Sequence, residues 1–173
     1  MPPTSPVRRR PSTDVIALLA FLVLCFTVAA VGSWVTATSV NTWFPTLNKP
    51  SFNPPAWVFG PVWTVLYALM AVAAWRVWRQ AGFRAGRAAL TAFGLQLALN
   101  LSWSVIFFGL KSIDMAVVCI VALWLAITIT IALFRRIDRW AEWLLLPYLA
   151  WVSFAALLNM AIWKLNWAGE VIK

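Results

Sequence analysis

Lys49-Pro50-Ser51-Phe52-Asn53-Pro54-Pro55-Ala56-Trp57-Val58-Phe59-Gly60-Pro61-Val62-Trp63-Thr64-Val65-Leu66-Tyr67 is the stretch that decides the fold, a proline-rich loop passing directly into an apolar helix. Proline fixes φ and lacks a backbone N–H, so it suits the first turn of a helix, where that donor has no partner anyway. The reading is a helix capped by Asn53 with Pro54 and Pro55 in its first positions. Pro61 lies inside the same helix, removes the hydrogen bond to the Trp57 carbonyl and crowds it. A bend is expected there.

The rest of the 173-residue chain says what surrounds that helix. It is 63% hydrophobic and 11% charged, and its mean hydropathy is positive. A water-facing domain carries about 25% charged residues, so this chain cannot coat itself against water. Charge-free windows run over 15–48, 50–75, 88–110, 115–134 and 143–163. Each can hold the roughly 20 apolar residues that cross a hydrocarbon core. The fold class is therefore all-α, an integral membrane bundle of five transmembrane helices. The expected organisation is a disordered basic tail over 1–13, a transmembrane domain over 14–167 with spans near 14–35, 54–78, 87–110, 113–134 and 140–165, and a short tail over 168–173. In lipid the carbonyl freed by Pro61 needs a partner from protein or water, so the bend should face other helices or a cavity.

The net charge of +9 is not gathered on a soluble surface, which argues against nucleic acid as a partner. Arg8, Arg9, Arg10, Arg76, Arg79, Arg84, Arg87, Arg135, Arg136 and Arg139 fall on one side of the membrane, and Lys49, Lys111, Lys164 and Lys173 on the other. The positive-inside rule then puts the N-terminus in the cytoplasm and the C-terminus outside. The Arg8-Arg9-Arg10 start could also open a signal peptide. However, the uncharged run that follows outlasts a 7–15-residue h-region, and it is kept as the first span. The tail is suited to contact with anionic headgroups of membrane lipid.

The 36–53 connection contains Trp43, Phe44, Pro45 and Leu47, too apolar to float in water, and is expected to fold over the bundle as a lid. Ala29, Ala30, Gly32 and Ser33 make the end of span one small enough for another backbone or a ligand to approach closely. Cys25 and Cys119 fall within spans and read as small hydrophobes, with no disulfide framework or metal cluster. Gly82 and Gly86, set among arginines, read as a turn rather than a helix-pairing signal.

Of the 13 tryptophans, Trp75, Trp78, Trp140 and Trp143 at one interface and Trp34, Trp43, Trp57, Trp163 and Trp167 at the other fit an aromatic belt. At 1.5 Å per residue, Trp63, Trp103, Trp124 and Trp151 lie roughly 10 Å or more from the helix ends, too deep to anchor. Gln96, Asn100, Trp103 and Phe107 share one helical face, and Tyr148, Trp151, Ala155 and Asn159 another. Such stripes can be amides bonded across helices with rings filling the core. They can equally line an aromatic cleft for a flat apolar ligand. The cleft is the expectation, because both stripes coincide with the Pro61 bend and the lid.

Chemistry is sparse. The five carboxylates, Asp14, Asp114, Asp138, Glu142 and Glu170, sit at span ends or in the tail, and there is no histidine. Acid–base catalysis needs titratable groups beside the substrate. An active exporter normally has an intramembrane acid. No catalytic or metal-binding residue is assigned. Histidine cannot ligate a haem here, although a porphyrin could stack without ligation.

Three sets of motifs resemble the translocator protein / tryptophan-rich sensory protein family, the peripheral-type benzodiazepine receptors, and specifically a bacterial-type member. They are Leu47-Asn48-Lys49-Pro50-Ser51-Phe52-Asn53-Pro54-Pro55 with Trp57, Gly60-Pro61-Val62-Trp63 and Tyr67; Gln96-Leu97-Ala98-Leu99-Asn100 with Trp103 and Ile106-Phe107-Phe108-Gly109; and Pro147-Tyr148-Leu149-Ala150-Trp151 with Leu158-Asn159 and Trp163. The resemblance implies a receptor or translocator, commonly a homodimer. Its ligands would be porphyrins and other tetrapyrroles, sterols and isoquinoline carboxamides, bound under the first external loop as ligands rather than as cofactors. It adds Leu47 and Phe52 to a lining that the stripes supply as Asn100, Trp103, Phe107, Tyr148, Trp151, Ala155 and Asn159. Two other readings stand beside it: a light- or oxygen-dependent porphyrin-degrading enzyme, and a lipid-dependent structural partner in a membrane complex. Many members have tryptophan where this chain has Phe52, and phenylalanine lacks the redox chemistry attributed to that indole. The family's cholesterol motif has tyrosine where this chain has Met160.

Overall fold

The computed structural model describes residues 11–167. Among them five helices are long and apolar enough to cross a membrane, and there is no strand. They are α1 (Pro11–Ala37), α2 (Ala56–Ala85), α3 (Arg87–Ser104, continued by a wider π-helical turn over Val105–Gly109), α4 (Ile113–Arg135) and α5 (Arg139–Trp167). The expected all-α membrane bundle is what the chain forms. Arg8-Arg9-Arg10 and the 168–173 tail lie outside the described residues. Pro11, Ser12 and Thr13, read from the sequence as tail, already belong to α1.

The helices touch in a closed ring in the order α1, α2, α5, α4, α3, with α2 also meeting α3 across the centre. Apolar residues from every helix supply the interior, including Cys25, Met70, Phe93, Ile120 and Leu145. Both cysteines are free and buried, as small hydrophobes would be. The small end of α1 is used for packing. A Cβ on Gly32 would stand 3.5 Å from Ser104 Oγ, so this glycine brings α1 close to α3.

Three local expectations are corrected. The cap of α2 is Pro55 (φ −58°, ψ 144°), with no side-chain cap, and the helix starts at Ala56. Residues preceding proline are pushed out of the α region, Asn53 by Pro54 and Pro54 by Pro55, so the helix cannot begin until after Pro55 and Asn53 stands two residues too early to cap. Its Nδ2 donates to the Pro54 carbonyl instead. Second, α2 keeps helical dihedrals through Pro61 and leaves them at Gly82 (φ 68°, ψ −177°), where Gly82 and Gly86 form the corner into α3. That region of backbone space is open essentially to glycine alone. Gly82→Ala should lower stability by about 1–3 kcal/mol, read as a thermal midpoint in detergent.

The third correction concerns tryptophans. Trp34, Trp57, Trp140, Trp143 and Trp167 are exposed, as belt residues should be. Trp78 is buried, because α2 runs on to Ala85 and leaves Trp78 inside the bundle against Phe83. Trp43 packs edge-on against Phe107 as part of the lid. Trp124 sits deep but outward, 36% exposed, its Nε1 donating to Ser153 Oγ on α5 at 2.8 Å.

Candidate functional site

The lid is fastened at both ends. Ser39 Oγ donates to the Phe108 carbonyl at 2.7 Å, within the π-helical turn of α3. Asn48 N donates to Asn166 Oδ1 and Asn166 Nδ2 to the Asn48 carbonyl, both at 3.0 Å, which ties the loop to the end of α5. Between them Lys49 Nζ donates to the carbonyls of Phe44, Pro45 and Leu47, so one ammonium closes the loop on itself. Trp43, Phe44 and Leu47 then sit on a cluster centred on Phe107.

The nine residues selected from the sequence separate into groups. Asn100 and Tyr148 lie sealed in the bundle centre: Tyr67 Oη donates to Asn100 Oδ1 at 2.6 Å and Asn100 Nδ2 to Tyr148 Oη at 3.0 Å. Trp103, Phe107 and Asn159 gather beneath the lid, which covers them with Leu47. Trp103 stacks on Phe107 at 5.3 Å and its Nε1 donates to Asn159 Oδ1 at 2.9 Å. Ala155 is half-buried against the main core. Trp151 and Phe52 belong elsewhere, at a groove.

That groove, about 650 Å³, runs between α2 and α5 and opens sideways. Pro61, Val62, Val65 and Leu66 form one wall and Pro147, Ala150, Trp151 and Phe154 the other. Rings continue the second wall toward the lid: Phe59 meets Trp151 at 5.8 Å, Trp151 meets Phe154 at 5.6 Å, and Phe52 meets Phe154 at 6.3 Å. Seven of the eight wall residues carry purely apolar side chains. The exception is the Trp151 indole, whose enclosed Nε1 has no hydrogen-bond partner. The described carboxylates are far from this chemistry, at helix ends: Asp14, Asp138 and Glu142 are paired with Arg79, Arg76 and Arg135, and Asp114 accepts from Ser112. What the arrangement can do is hold a rigid apolar body by ring contact and offer it one N–H donor.

The sequence points to Trp151 and Phe52 and to the Pro61 bend as a cleft border, but not to Val62, Val65 and Leu66 or to the central Tyr67. The signal was present: 61, 62, 65 and 66 share a face of α2, and 147, 150, 151 and 154 share one of α5. Apolar residues at helical spacing also describe a lipid-facing stripe, so the pattern alone does not select a groove.

A profile of the TspO/MBR family matches residues 21–164. The chain is 41% identical over 157 residues to the "Tryptophan-rich protein TspO" of Chlorobaculum tepidum, covering 88% of this chain and 98% of that one. It is 38% identical over 154 residues to the "Tryptophan-rich sensory protein" of Cereibacter sphaeroides, covering 89% and 94%. To the human "Translocator protein" it is 39% identical over 132 residues, covering 73% and 78%.

Proposed function

The chain belongs to the TspO/MBR family, and from that premise we propose that it binds tetrapyrroles, in particular porphyrins, in the groove between α2 and α5, as part of their transport, sensing or regulation. Family membership carries the coarser statement, that this is a multi-pass membrane protein of the translocator and sensory type. The ligand class rests on one observation: a groove of porphyrin-like scale is walled by rings and prolines with no titratable side chain. A flat macrocycle gains dispersion and apolar burial against such walls. Sterols share the rigid apolar body and are proposed as secondary ligands. The same walls supply no general acid, base or nucleophile, so the proposal is retention rather than acid–base or covalent conversion.

Titrating protoporphyrin into the full chain in detergent should give saturable quenching of tryptophan fluorescence. Quenching that rises linearly, as it does for free tryptophan, would remove the proposal. A sterol added to the preloaded protein should restore part of the fluorescence if the two ligands share the groove.

A further inference from the structure

The Arg-rich end of the bundle is electrostatically divided. Asp14, Asp138 and Glu142 are each taken up by an arginine of their own, Arg79, Arg76 and Arg135. Four arginines at the same end, Arg84, Arg87, Arg136 and Arg139, are exposed and have no acidic partner among the described residues. They are not scattered. Arg84 and Arg87 flank the glycine corner between α2 and α3, while Arg136 and Arg139 flank the turn between α4 and α5. Phe93 stacks on Phe134 at 6.1 Å, which holds the first turns of α3 beside the last turn of α4 and so brings Arg87 and Arg136 to one stretch of rim.

Aromatic rings fix the depth. Phe83, Trp140 and Trp143 are 69%, 69% and 62% exposed beside these arginines. The two exposed indoles sit at headgroup level, with the apolar Phe83 ring near them, and there a neighbouring guanidinium meets lipid phosphate. The opposite end differs: Lys49 is consumed by three carbonyls, leaving Lys111 and Lys164 exposed there.

We infer that the unpaired Arg84, Arg87, Arg136 and Arg139 form a docking rim for the headgroups of anionic phospholipid. The occupant is a lipid, because the exposed rings beside the charges need an apolar acyl surface that a soluble anion cannot provide. Each basic residue near an anionic surface contributes enough for several-fold in affinity, so four acting together give clear selectivity.

The test uses the full chain, purified in uncharged detergent and offered phosphatidylglycerol or phosphatidylcholine, with bound lipid counted by native mass spectrometry. Wild type should retain phosphatidylglycerol over phosphatidylcholine by on the order of tenfold or more, with the preference shrinking as salt rises. R84Q/R87Q/R136Q/R139Q should lose it, and K111Q/K164Q should keep it. R84Q/R87Q and R136Q/R139Q, made separately, should each lose part, which guards against a quadruple variant that does not fold. Equal retention of both lipids by wild type would overturn the inference, as would full preference in the quadruple variant. Thermal stabilisation by inorganic phosphate equal to that by phosphatidylglycerol would assign the rim to a soluble anion and overturn it as well.

Discussion

Asp138→Asn should destabilise the bundle by about 3 kcal/mol, more than any other near-isosteric change at its Arg-rich end. Arg76 grips this carboxylate twice, Nε to Oδ2 at 2.7 Å and Nη2 to Oδ1 at 3.2 Å, from α2 across to the turn that opens α5. Oδ1 also accepts from Trp140 N at 2.9 Å, which caps α5. Asparagine keeps the shape and caps equally well, so the substitution spares the cap and removes only the charge and one acceptor. It replaces the Oδ2 acceptor with an amide that faces another donor, and leaves the guanidinium without a counter-charge at a position where the native carboxylate residue is 6% exposed. Losing one partner of a buried pair costs about 3–5 kcal/mol, and Arg76, whose side chain is 31% exposed, places this case at the lower end. Unfolding in mixed detergent, followed by tryptophan fluorescence, gives the number. Adding Arg76→Gln should recover part of the loss, with a coupling of about 2 kcal/mol. A shift under about 1 kcal/mol for Asp138→Asn would mean that water reaches the pair. Glu142→Gln is the contrast: its partner Arg135 is 62% exposed at 3.6 Å, so the change should cost no more than about 1 kcal/mol.

These two pairs show what was legible in the sequence and what was not. That charges cluster at span ends follows from the cost of placing them in lipid, and the charge-free windows between them became α1 to α5 with shifts of a few residues. Which arginine meets which carboxylate depends on the ring order of the helices, which periodicity does not encode. The same boundary governs the site. Gln96, Asn100 and Trp103 were legible as one inward face of α3, and all three do point inward. Their partners are on other helices: Tyr67 and Tyr148 for Asn100, Asn159 for Trp103, and the Met70 sulfur at 3.9 Å for Gln96, whose Oε1 is left without a partner. An amide satisfied by a distant hydroxyl and an amide lining a cleft have the same spacing. Trp124 makes the point from the other side, since depth along α4 is read from residue count while its outward rotation is set by neighbours. The groove was least legible, because Pro61 and Val65 have the chemistry of lipid-facing residues such as Val118 and Ile129.

Ala150→Phe should weaken porphyrin binding at least about tenfold while leaving the fold intact, a loss of about 1.4 kcal/mol or more. Ala150 is an exposed wall residue of the groove, so a larger side chain grows into open volume instead of the packed core and avoids the strain of overpacking. Ala150→Ser, nearly the same size, should bind as wild type does. Trp151→Ala works by the opposite route: it removes the ring that meets Phe59 and Phe154, and with it the one N–H donor in the wall. A similar or larger loss is expected, since buried tryptophans dominate contact energy where they occur. The two changes fail differently if the ligand sits elsewhere. Should Ala150→Phe bind porphyrin normally while Trp103→Ala does not, the macrocycle lies beneath the lid among Trp103, Phe107 and Leu47, and the groove is only a seam between helices. Because α2 and α5 face each other along that seam, a ligand held there must enter from the bilayer, and raising the lipid fraction of the mixed micelle should slow its capture by dilution. A ligand held beneath the lid would instead respond to Asn166→Ala, which frees the loop from α5. The pair of titrations therefore separates the two sites by route as well as by residue.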